Sequence, residues 1–210
     1  MKRVISILLA AFTLTFVFAS CSKISSNSNS KNGDALTEGN YTYELLDDGT
    51  ASIVSYNSEE SYDELEIPDT LGGVNVTVIG KNAFAGVSTI LRVTFPRYLT
   101  TIENAAFKGS SIKYAMMNSC RELVIIGEDA FADCTKLVQV DISSSVTTIG
   151  KNAFANDTYL SVVTLRGDTD LDKNMFEGAS RFTLWSYEDS TGVAKFAEKN
   201  GYEFKTLPKG

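Results

Sequence analysis

The sequence predicts a β-rich repeat solenoid: a stack of about five units of 22 to 24 residues with short parallel strands, a β-hairpin cap at the N-terminal end and a helix/strand cap at the C-terminal end. Three observations predict it. Phenylalanines recur at Phe84, Phe107, Phe131, Phe154 and Phe176, separated by 23, 24, 23 and 22 residues. Five residues before each stands an aliphatic residue, namely Ile79, Ile102, Ile126, Ile149 and Leu171. Every unit also carries a short alternating triplet: Leu65-Glu66-Ile67, Val93-Thr94-Phe95, Ala115-Met116-Met117, Val140-Asp141-Ile142 and Val163-Thr164-Leu165.

Alternation of period two turns the outer pair of each triplet inward and the middle residue outward. Pro68 and Pro96 follow the first two triplets, and proline is tolerated at a strand end. A further apolar residue follows each Phe by five or six positions, at Ile90, Ile112, Leu137, Leu160 and Phe182. Each unit thus offers one strand, a turn with an inward aliphatic residue, and an inward Phe. No unit can bury that set alone, and stacking the units buries it as one continuous core.

The caps are legible at both ends. Asp48-Gly49 separates two apolar alternations over 41–56 and is a strong hairpin turn, because both turn positions favour positive φ. Val193, Ala194, Phe196 and Ala197 have helical spacing, Asn200-Gly201 stops that helix, and Tyr202-Glu203-Phe204 reads as a last strand. Two irregular stretches, Gly72-Gly73-Val74-Asn75-Val76 and Asn118 to Arg121, read as loop insertions.

Before the repeats the chain reads as an address. Met1-Lys2-Arg3 is a short basic region, and Val4 to Ala19 is an apolar run too short for a comfortable membrane span. The run ends in Phe18-Ala19-Ser20-Cys21, which resembles a bacterial lipobox. Residues 1–20 are therefore expected to be a lipoprotein signal peptide, with Cys21 as the lipid attachment site. Ordinary secretory cleavage after Ser20 is the alternative. Residues 21–40, rich in Ser, Asn, Lys and Gly, are expected to be a flexible tether. Residues 41–207 then form the repeat domain with its caps. The expected location is the bacterial cell envelope, after export, lipid-anchored to a membrane.

Composition narrows the chemistry. The chain has no histidine, which excludes His-based nucleophile activation and His-ligated zinc. Removing Lys2 and Arg3 with the leader takes the formal charge from −7 to −9, and the remaining basic residues are scattered, so nucleic acid is not an expected partner. Cys120 and Cys134 read as two separate thiols rather than a disulfide, and no Cys-x-x-Cys pair exists. Carboxylates cluster at Glu59-Glu60, Asp63-Glu64 and Asp168/Asp170/Asp172, but the last run lacks the glycine and bidentate Glu of a calcium loop. No catalytic residue, metal site, cofactor or small-molecule substrate is expected, and the chain is not read as an enzyme.

From Tyr41 to Leu207 the sequence resembles the BspA-like, or type 5, leucine-rich repeat family. The stretches "IPDTLGGVNVTVIGKNAFAG", "VTFPRYLTTIENAAFKG", "IIGEDAFADCTKL" and "VDISSSVTTIGKNAFAN" carry the likeness, and "AKFAEKNGYEF" looks like that family's end cap. The Asn ladder of generic leucine-rich repeats is missing. The resemblance implies a bacterial surface protein that binds proteins, with adhesion to host or bacterial surface proteins among the roles, and it names no ligand. A structural or envelope-assembly lipoprotein without an external ligand is the alternative.

The candidate binding face is the outward side of the strand ladder: Glu66, Thr94, Met116, Asp141 and Thr164, flanked by Glu64, Arg92, Tyr114, Gln139 and Val162. Tyr114 and Met116 are its aromatic and thioether members, the kind that anchors interfaces. They are expected on the central strand, equidistant from both caps.

Overall fold

The computed structural model describes residues 35–167, 169–179, 181–187 and 189–208. Cys21 and the expected signal segment lie outside the described residues. The chain opens with β1 (Leu36–Glu38), β2 (Tyr41–Leu45) and β3 (Ala51–Tyr56), an antiparallel meander. Its first strand falls in the span expected to be tether. Glu38 explains part of the order, since its carboxylate accepts a 2.7 Å hydrogen bond from the Gly72 amide. The first turn of the solenoid then brings β4 (Tyr62–Glu66), β5 (Thr70–Leu71) and β6 (Val74–Ile79). The next three bring β7 (Ile90–Thr94) and β8 (Thr101–Ile102), β9 (Tyr114–Met116) and β10 (Ile125–Ile126), and β11 (Gln139–Ile142) and β12 (Thr148–Ile149). The fifth has β13 (Val162–Leu165) and a 3-10 turn, Lys173–Phe176. β14 (Thr183–Ser186), α1 (Thr191–Asn200) and β15 (Glu203–Thr206) close the stack.

Two sheets run along the solenoid, the second as far as the fourth turn. One has seven parallel strands in the order β4-β7-β9-β11-β13-β14-β15, and the other is ordered β1-β2-β3-β6-β8-β10-β12, with β5 paired to β6. The five units marked by the Phe spacing are thus extended to seven rungs. β14 and β15 continue the ladder without a Phe corner, and α1 replaces the second sheet there. The second sheet itself departs from the expectation of one strand per unit. Its strands are two residues long in turns two to four, too short for alternation to register in a sequence.

The Phe residues form the spine. Consecutive rings are stacked, with centroids 4.8, 5.0, 5.4 and 5.7 Å apart from Phe84 to Phe176 and planes within 20°. Strand spacing of about 4.8 Å sets that repeat, and offset aromatic stacking adds to the burial. Tyr56 caps one end, stacked 5.1 Å from Phe84, and Phe182 and Tyr202 cap the other. The inward aliphatic residues Ile79, Ile102, Ile126, Ile90, Ile112 and Leu137 are all buried.

A third hydrogen-bonded ladder runs along the Phe corner. The amides of Phe84, Phe107, Phe131 and Phe154 donate to Ala106, Ala130, Ala153 and Met175 carbonyls of the following turn at 2.7–2.8 Å. Left-handed residues two positions to either side of Phe aim these amides along the stack. Before Phe they are Asn82, Ala105, Asp129 and Asn152, with φ of 60°, 57°, 55° and 58°. Asn and Asp tolerate that region better than other side chains, which accounts for their recurrence. The Gly that follows Ile79, Ile126 and Ile149 has a different cause: a Cβ on Gly127 would lie 2.6 Å from the Asn104 amide nitrogen of the preceding turn.

The two expected loop insertions are both structural. Gly72 and Gly73 form the turn of the β5–β6 hairpin, and Val76 is fully buried. Cys120 is also buried, and its amide donates to the Met117 carbonyl at 3.0 Å, as Leu99 does to Pro96 and Val146 to Ser143. It therefore fills a core position that other turns give to Leu or Val. Cys134 belongs to a buried polar column. Its Sγ donates to the Phe107 carbonyl at 3.1 Å and lies 3.3 Å from Ser110 Oγ. Asp157 is the next member, fully buried, with neither carboxyl oxygen hydrogen-bonded among the described residues. Burial pushes its pKa up to about 9. The Cys134 amide offsets part of that, and the charge of Asp133 adds to it.

Candidate functional site

Parallel pairing places the outward residues of the seven-stranded sheet in two continuous rows. One runs Glu64, Arg92, Tyr114, Gln139, Val162, Thr183 and Glu203; the other runs Glu66, Thr94, Met116, Asp141, Thr164, Trp185 and Lys205. The rows hold every candidate face residue named from the sequence. They also add a sixth and a seventh rung. Those were hidden because Phe182 stands three residues before Trp185, whereas Ile90, Ile112, Leu137 and Leu160 stand four before their row members.

The two halves of the face differ. Toward the C-terminal end, side chains satisfy one another. Asp141 and Thr164, expected to be exposed, are each only 5% accessible. Arg166, just past the end of β13, reaches back across the ladder and binds Asp141 through a two-pronged contact. Its Nη1 also donates to Tyr187 Oη at 3.4 Å. Beyond it, Thr183 donates to Glu203 at 2.8 Å, Lys205 pairs with Glu203 at 3.0 Å, and the Lys205 ammonium lies 5.6 Å from the Trp185 ring centre.

Toward the N-terminal end the face is more open. Glu66 is exposed, and Arg92, Thr94, Tyr114, Met116 and Gln139 are half-buried. The Arg92 guanidinium lies 4.4 Å from the Tyr114 ring centre, so the tyrosine is covered on one side by a cation. The central strand of the seven is β11 rather than β9, which corrects the expected position of Tyr114 and Met116. Beside this half lies a groove of about 1090 Å³, reached from Glu64, Glu66 and Thr94 and bounded by the turns after β4, β7 and β9. Its walls include Asn118 and Arg121, from the stretch read as a loop insertion, and Asp69, Arg97, Tyr98 and Glu122, which the sequence did not single out. They stand just outside the periodic triplets, where the pattern gives no direction.

Chemically, the face can hold an extended chain by side-chain contact. Cys120 and Cys134 are unpaired and buried, and burial pushes both thiols up to about 12, so both are protonated at neutral pH. Among the described residues no group of three or more His, Cys, Asp or Glu is placed to hold a metal ion. Nor is any described helix long and apolar enough to cross a membrane.

This architecture, a parallel solenoid with an inward aliphatic residue and an inward Phe in each of five successive turns, is that of a leucine-rich repeat protein. The chain belongs to the BspA type leucine-rich repeat family, whose model matches residues 54–183 in six copies. Among solved structures it is similar to a leucine-rich repeat protein of T. pallidum, at 21% identity and a TM-score of 0.52 over 82% of this chain and 98% of that one. It is likewise similar to the pneumococcal vaccine antigen PcpA, at 17% identity and a TM-score of 0.57 over 75% of this chain and 51% of that one. These likenesses show the fold. No curated protein sequence matches the chain.

Proposed function

We propose that this chain is an exported lipoprotein of the bacterial cell envelope, held to a membrane through Cys21, whose solenoid binds a protein partner in an adhesive role. The observation that carries the binding role is the outward face itself. Side chains from successive strands stand in strict register, and the half that includes Tyr114 and Met116 is the more open one, with Arg92 covering one side of the Tyr114 ring. Repeat solenoids present such extended faces to partners, and aromatic residues and Met anchor interface cores. The signal-like leader and the family's repeat pattern support the envelope location.

The test uses intact cells making the full chain with a photo-crosslinking amino acid in place of Met116, or in place of Glu128 as an off-face control. A covalent protein adduct is expected at 116 and not at 128. It should be lost when Tyr114→Ser is added to the Met116 crosslinker. Equal adducts at both positions, or none at 116, would overturn the assignment of the face. Protease added to the same cells separates the adhesive role from envelope assembly, since only an outward-facing domain is shaved.

A further inference from the structure

We infer that the partner surface is confined to the N-terminal half of the face and its groove, and that it takes an extended protein segment carrying lysine or arginine. The inference rests on the binding role proposed above and names the chemistry of the partner.

The two halves of the face differ in how their charges are engaged. In the C-terminal half, the Asp141 and Glu203 carboxylates are both engaged by cations of the same chain. In the N-terminal half the situation reverses. Arg97 is held by Asp69 at 2.6 Å, and Arg92 is stacked over Tyr114. Glu64, Glu66 and Glu122 form no ion pair among the described residues, and neither do the cations Arg92 and Arg121. The acidic run is longer than the groove. Between residues 59 and 66 stand Glu59, Glu60, Asp63, Glu64 and Glu66, with no basic residue among them. Counting that run, carboxylates without an ion pair outnumber the unpaired cations Arg92 and Arg121 in this half.

Shape and polarity of the groove agree with a long cationic side chain. Buried Ile67 and Phe95 contribute to its lining, and Tyr98, 36% exposed, contributes an aromatic ring. Lysine and arginine lay their methylene stems along apolar surface while their heads seek polar partners. The Arg97 guanidinium already lies 6.0 Å from the Tyr98 ring centre, so cation–π attraction for a partner is left to the other face of that ring. Glu64 and Glu66 lie two residues apart on β4, so their carboxylates project from the same side of the sheet about 6.7 Å apart along the strand. Alternate residues of an extended segment have the same spacing. Complementary charge of this kind steers association and excludes acidic partners.

The test is fluorescence anisotropy with the full chain in detergent. The probes are a short labelled peptide alternating arginine and threonine and its glutamate–threonine counterpart. The expected result is saturable binding of the cationic peptide only, weakened at least tenfold in the variant Glu64→Gln/Glu66→Gln. The control variant Glu177→Gln/Glu198→Gln removes as much charge elsewhere and should bind like wild type. Equal weakening in both variants would show attraction by net charge alone and overturn the inference, as would binding of both peptides or of neither. If the crosslinker at position 116 still captures a partner in Glu64→Gln/Glu66→Gln cells at the wild-type yield, the partner chemistry is wrong while the binding face stands. A crosslink lost in those cells but kept in Glu177→Gln/Glu198→Gln cells supports the inference, and absence of the crosslink in wild-type cells as well means that the face itself is wrong.

Discussion

Arg166 grips Asp141 through two parallel hydrogen bonds, from Nε to Oδ1 and from Nη2 to Oδ2, each 2.7 Å long. The pair is uneven: the Asp141 side chain is 7% exposed and the Arg166 side chain 31%. Removing the arginine therefore strands a carboxylate with little access to water. Arg166→Met is expected to cost about 3 kcal/mol in a urea melt. Adding Asp141→Val should recover much of that loss. A double variant as unstable as the single one would contradict this reading.

The Phe spine makes a second prediction. Phe131→Ala removes a fully buried ring stacked on both sides and should cost about 3–5 kcal/mol. The irregular sequence around Phe176 suggests a weaker site. Phe182 lies 4.6 Å away and Tyr202 6.2 Å, however, so Phe176→Ala should cost about as much. Melts that left Phe176→Ala near wild type would place that ring outside the spine.

Ala105 is the odd member of its column, a Cβ-bearing residue at φ 57° where the other turns use Asn or Asp. The left-handed region costs such a residue about 1–2 kcal/mol. Ala105→Gly should accordingly raise stability by roughly 1 kcal/mol, and Ala105→Val should lower it. A destabilised glycine variant would mean that the strain has been misplaced.

Asp157 gives the pH prediction. Its pKa is raised from an ordinary carboxylate value to about 9, so the folded state holds a proton that the unfolded state has released. Stability from this group is fully present at low pH and is lost as pH rises through that interval. The slope approaches 1.4 kcal/mol per pH unit at its steepest. Asp157→Asn cannot ionise. Melts of this variant at pH 5, 7 and 9 should show a correspondingly shallower decline than wild type, and identical declines would refute the assignment.

For the anchor, Cys21→Ala should move the protein out of the membrane fraction or leave its precursor uncleaved. A variant that still partitions into detergent like wild type would dispose of the lipid attachment.

The fold was legible because its cause is periodic. Each turn must supply one Phe and two aliphatic residues to a shared core, so the sequence repeats what the packing repeats. The first five rungs of both outward rows followed from the same periodicity. What escaped was everything one period cannot carry. Cys120 reads as part of an insertion because its unit is one residue longer, yet it holds the core position of Leu99. Asp141 reads as outward-facing, correctly, but its partner Arg166 lies 25 positions further along, and no local pattern joins them. The groove is assembled from turns after three different strands, and its members share no spacing.

The cross-turn hydrogen bonds have a consequence for how such a chain changes over generations. Ladders on two sheets and at the Phe corner join each turn only to the turns before and after it. A whole turn can therefore be duplicated or excised as a cassette, and the flanking turns meet across an interface of the kind they already use. Deleting the 24 residues from Ile102 through Ile125 would rejoin the chain at Ile126, which takes the place of Ile102, with the aliphatic and Phe positions still in phase. The outward rows would shorten by one rung and bring Arg92 and Gln139 side by side. Partner preference in a chain of this build is thus open to revision by recombination between units, with the hydrophobic spine left intact.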